Sequence, residues 1–129
     1  MDYYNAKQLQ NVSFNEAIRK VTEALKEEGF GILTEIDVQA TLKEKLDKEF
    51  RPYKILGACN PPFAFEALKA EDKIGTMLPC NVIVQQLDAH TIEVAAIDPQ
   101  ASMQSVENQA LEKIAQAIKT KLASAIERL

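Results

Sequence analysis

The sequence has no tryptophan, one histidine, two cysteines and four glycines among its 129 residues. Four scattered glycines leave no glycine-rich phosphate loop. Ser13, Ser102 and Ser105 have no histidine nearby, so no hydroxyl-nucleophile triad can be assembled. Structural zinc takes about four ligands at close spacing. Two lone cysteines, with His90 at the far end of a hairpin, fall short of that set, and no motif implies a cofactor. A soft metal held by Cys59 and Cys80 at a dimer interface is the minor reading, and His90 reads as a solvated turn residue.

Basic excess is missing too. The net charge is −4, and the densest positive stretch, Lys43 to Arg51, is interleaved with Glu44, Asp47 and Glu49. A phosphate-backbone binder would show a basic stripe, so nucleic acid is not an expected partner. No apolar run approaches the roughly 18 residues of a spanning helix, so no membrane partner is expected either. Met1-Asp2-Tyr3-Tyr4-Asn5 lacks a basic region followed by an apolar core. A cytoplasmic chain with reduced thiols is the expectation.

What remains is the balance of a globular protein, 47% hydrophobic and 26% charged. There is no repeat, low-complexity tract or linker, so residues 1–129 read as one domain. Residues 3–10 suggest a short edge strand. Ser13, with Glu16 three residues on, forms a capping-box signature for a helix whose stripe is Ala17, Ile18, Val21, Ala24 and Leu25, stopped by Gly29. A strand follows from Phe30 to Ile36, with Phe30, Ile32, Thr34 and Ile36 on one face. Asp37 can cap a short helix over Val38–Phe50. Tyr53–Cys59 is apolar on both faces and reads as an interior strand. Asn60 can cap the next helix, with Pro61 at its first position. Cys80–Leu87 and Thr91–Ile97 pair as a hairpin around Asp88-Ala89-His90. The last helix carries Val106, Ala110, Ile114, Ala117, Ile118, Ala125 and Ile126, joined by Leu111 and Leu122.

Four strands from Phe30 to Ile97 can run as an antiparallel meander. The order 2-3-4-5-1 needs no parallel pair and puts the two longer helices on one face, an α+β two-layer sandwich. Ile55 beside Leu56, Val82 beside Ile83 and Val94 beside Ala95 make both faces apolar, and both then need cover. A second copy of the chain supplies it most simply, so a homodimer is expected; short helices folded across that face are the alternative.

The only cysteines sit in mirrored signatures, Cys59-Asn60-Pro61 and Pro79-Cys80-Asn81. The meander brings Cys59, Asn60, Cys80, Asn81 and Asp98 to one end of the sheet. Cys59 precedes a helix N-terminus, a position that favours a thiolate. Cys80 would be its resolving partner, and Asn60 and Asn81 would orient a bound group. Against this stands inert burial of both thiols, with the asparagines serving turns and caps. Glu35, Asp37, Arg51 and Tyr53 gather at the other end. Paired carboxylates there could do acid–base work, but an ion pair with Arg51 and a helix cap from Asp37 is the preferred reading. Three functions stay open: a dimeric binding module for a small molecule or partner, a thiol-redox protein using Cys59, and a scaffold acting through its uncovered face. No motif decides whether a reaction is catalysed.

Several short runs carry a family resemblance: Glu28-Gly29-Phe30-Gly31, Thr34-Glu35-Ile36-Asp37, Phe50-Arg51-Pro52-Tyr53, Ile55 through Pro61, Leu78 through Val82, and Ile97-Asp98-Pro99. From Phe14 onward the chain resembles the domain of unknown function 302 family. The resemblance implies a small α/β domain of the TBP-like class, with helices backing an antiparallel sheet and a tendency to dimerise. It implies no established activity.

Overall fold

A computed structural model describes residues 2–129. Its five strands are β1 (Tyr4–Gln10), β2 (Gly31–Asp37), β3 (Tyr53–Cys59), β4 (Cys80–Gln86) and β5 (Thr91–Ile97). They form one antiparallel sheet in the order β1-β5-β4-β3-β2, the expected order. Helices α1 (Phe14–Glu27) and α5 (Gln109–Glu127) lie on one face. Ala17, Val21, Ala24 and Leu25 of α1 and Ile118, Leu122, Ala125 and Ile126 of α5 are buried there, against Leu56, Val82, Val84, Val94 and Ala96. Alternate residues of the strands supply this layer, as the two-residue period of a pleated sheet requires.

The local signals explain most boundaries. Ser13 Oγ accepts the Glu16 N–H at 3.1 Å, but the Glu16 carboxylate pairs with Arg19 rather than completing the capping box. Gly29 follows α1 with φ +90°, a conformation that glycine adopts without penalty. Helix α2 (Val38–Leu46) is capped by Asp37 and stops short of Phe50. Its apolar spacing runs out at Leu46, and Asp47, with φ 53°, closes it in the left-handed conformation. Helix α3 (Pro61–Ala70) leads into a 3-10 segment, Asp72–Met77, which has no periodic signature in the sequence.

Two further expectations are corrected. In β2 the ladder register shifts between Ile32 and Thr34, leaving Leu33 as an extra residue. Thr34 and Ile36 therefore pair with Gly57 and Ile55 on the open face, while Ile32 pairs with Ala58 on the helix face. Before the last helix, Asp98 Oδ1 accepts the Gln100 and Ala101 N–H groups and starts the single turn α4 (Pro99–Ser102). Asn108 caps α5, so Val106 lies outside it; Ala110 is exposed, and Ala115 takes a place in the buried stripe.

The face away from α1 and α5 carries a row across the whole sheet: Ile36, Ile55, Ile83, Ala95 and Ala6, each opposite the next. Helix α2 contributes no buried residue. Among the described residues, no helix is long and apolar enough to cross a membrane.

Candidate functional site

The chain leaves the sheet at Cys59 and returns at Cys80, one position from the Ala58–Cys80 ladder pair. Residues 60–79 between them form an excursion, built of α3 and the 3-10 segment, that packs on the N-terminal half of α5. Ala67, Ile74, Met103, Leu111 and Ala115 make a second buried cluster there, distinct from the sheet core. Two polar ties hold the excursion. Asn60 Nδ2 donates to the Glu28 carbonyl at 3.1 Å, and Asn108 Nδ2 donates to the Ala70 carbonyl at 2.8 Å. Asn60 thus occupies the N-cap position of α3 without capping it by its side chain, which is committed to the end of α1.

Between the two clusters lies a cleft of about 280 Å³. Phe30, Ala58 and Cys80 close its sheet side, Ala64, Ala67 and Leu68 its α3 side, and Leu111, Ile114 and Ile118 its α5 side. No charged residue lines it. Its polar residues are Asn60 and the two cysteines, Cys59 half-buried and Cys80 buried, with no disulfide between them. Burial, and secondarily the nearby Cys59, push the Cys80 thiol up to about 11, so it is protonated at neutral pH. Ala58, not Cys59, faces Cys80 in the ladder, so Cys59 belongs to the alternate face of the pleat.

Of the residues expected at this end, Cys59, Asn60 and Cys80 meet at the cleft. Asn81 lies outside it, exposed on the open face opposite Gly57. Asp98 is buried but engaged elsewhere: Oδ1 caps α4, and Oδ2 pairs with Lys119 at 3.1 Å. The apolar lining from α3 and α5 was not singled out by the sequence, because it spells ordinary helical core.

The other cluster disperses. Glu35 pairs with Lys54 at 2.7 Å, not with Arg51, because the ladder sets Lys54 opposite Asp37 on the face shared with Glu35. Asp37 caps α2, as expected. Arg51 Nε donates to Gln85 Oε1 at 2.8 Å, and Gln85 passes the link on to Glu93. The Arg51 guanidinium also lies 4.4 Å from the Phe50 ring centroid and 5.7 Å from that of Tyr53. His90 is exposed in the hairpin turn, its N–H donating to Asp88 Oδ1. Among the described residues, no three His, Cys, Asp or Glu side chains gather as a metal site.

The family model described as "Domain of unknown function DUF302" matches residues 5–129. The crystal structure of an uncharacterised conserved DUF302 protein from Bacillus stearothermophilus is similar over 99% of this chain and 98% of its own, with a TM-score of 0.90 at 31% identity. No curated protein matches.

Proposed function

From the premise that this chain belongs to the family described as Domain of unknown function DUF302, we propose that it is a binding module whose ligand is an uncharged, largely apolar group held in the cleft beside Cys59 and Cys80. The observation that carries this is the lining: about 280 Å³ of space between two cores, with no charged side chain on its wall. Apolar pockets with few polar groups are the usual form of a small-molecule site. The thiols act as wall, and Asn60 holds the hinge of the excursion.

Titration with toluene or indole tests this reading. Amide signals of Phe30, Ala67 and Ile114 should shift as the cleft fills. If none shifts at saturating probe, the cleft is not a ligand site.

The redox reading, with Cys59 attacking and Cys80 resolving, draws support from the half-buried Cys59 just before α3. Cys80 weakens it, being buried, protonated and aligned with Ala58 rather than with Cys59.

The module is a homodimer joined through the open sheet face. The row of Ile36, Ile55 and Ile83 supports this, being more apolar than a face left to water needs to be.

A further inference from the structure

We propose that the group entering the cleft is the apolar end of an extended alkyl chain, whose polar head stays outside the mouth. This rests on the reading of the cleft as a ligand site and names the ligand's class.

Three observations lead there. The first is size. A dry cavity of about 150 Å³ admits benzene, so about 280 Å³ has room for roughly a dozen non-hydrogen atoms by the same scale. The second is the wall. A charged head inside would meet no countercharge, since the polar side chains of the wall are Asn60, one N–H of which goes to the Glu28 carbonyl, and two thiols, of which Cys80 stays protonated.

The third is the rim. Leu33 and Leu68 line the cleft and yet are 66% and 43% exposed. Phe65, one turn before Leu68, is 61% exposed, and Met77, next to the lining residue Leu78, is 39% exposed. These are four of the nine large apolar side chains exposed among the described residues; Leu33 and Leu68 line the cleft, and the three-residue helical spacing sets Phe65 beside Leu68. A compact ring would be taken up whole and leave that rim wet. A chain continuing out of the cleft covers it. On this part of the chain Lys69 pairs with Glu66 and Lys73 with Asp72, while Glu71 accepts the Lys73 N–H and, among the described residues, has no cation beside it, so no free cation is set there for an anionic head.

The test is an NMR titration of the intact protein with straight-chain alcohols from hexanol to dodecanol, and with the carboxylates of matching length, below their micelle concentrations. Affinity should tighten about fourfold per added methylene while the chain still gains contact, and a carboxylate should bind no more tightly than the alcohol of its length. Shifts should spread from Ile114 inside to Leu68 and Phe65 at the rim. Phe65→Gln, at the rim but outside the lining, should weaken dodecanol several-fold and leave toluene unaffected. Ala64→Phe, which fills the cleft, should abolish both.

Toluene or indole binding in the cleft, with no gain from chain length, would overturn the alkyl class and leave the ligand site standing. A carboxylate binding far more tightly than its alcohol would overturn the placing of the head outside the mouth. Equal loss of dodecanol and toluene in Phe65→Gln would overturn the role of the rim. If no probe of either shape perturbs the cleft, both readings fall together.

Discussion

At the scale of single residues, Gly57 shows how tightly the strand ends are packed. A Cβ built there would lie 2.2 Å from Thr34 Oγ1 and 2.7 Å from Pro79 Cγ. Gly57→Ala should therefore cost about 1–3 kcal/mol in a denaturant melt, the usual cost of overpacking. Thr34→Ala in the same chain should return part of that loss, and the coupling between the two can be read from a double-mutant cycle. The thiols make a second test. Cys59 is half-buried and Cys80 buried, so Cys59 should alkylate first in the folded protein, while Cys80 should resist until the chain opens. Cys80, raised from 9.0 to about 11 by burial first and Cys59 second, favours the protonated fold. The stability tied to that shift is fully present below pH 9 and is lost as pH rises toward about 11. In Cys80→Ala this part of the alkaline loss should vanish from melts taken across that range. The cysteine signatures were legible in sequence because rare residues stand out. The job of Asn60 was not, since a cap position and a tie to Glu28 present the same letter.

At the scale of elements, the strands were legible nearly to the residue, because alternation and proline punctuation coincide around Tyr53–Cys59 and Thr91–Ile97. The bulge at Leu33 was not, as an extra residue in an apolar strand leaves composition unchanged. Nor was the 3-10 segment, which lacks a repeating apolar spacing. Whether the excursion over residues 60–79 moves as a unit can be tested at Asn108. Its Oδ1 caps α5 by accepting the Leu111 N–H, while its Nδ2 ties α5 to Ala70. Asn108→Asp keeps an acceptor for the cap and removes the donor. Hydrogen exchange should quicken across residues 60–79, with global stability lowered by about 1 kcal/mol, the worth of one hydrogen bond. Uniform quickening over the sheet as well would mean that the excursion and the sheet open together.

At the scale of the whole molecule, one layer of helices covers one face of a sheet that is apolar in the middle of both. That much could be read from Ile55-Leu56 and Val82-Ile83, because adjacent apolar residues in a strand must point to opposite faces. For the proposed pairing through the open face, sedimentation at micromolar concentration should give twice the chain mass of 14.4 kDa. Ile83→Lys should bring the mass to that of one chain without unfolding it. An unchanged mass for the variant would place any association elsewhere. The excursion has a wider consequence. Cys59 and Cys80 begin and end it side by side, so to the sheet it is only a long connection between neighbouring antiparallel strands. Doubling the length of such a connection costs only about 0.6 kcal/mol of closure entropy. Between the Asn60 tie and Pro79, and around the buried Ala67 and Ile74, the length of this stretch can therefore change while the strands keep their register. One ancestral sheet could in this way supply many differently shaped mouths.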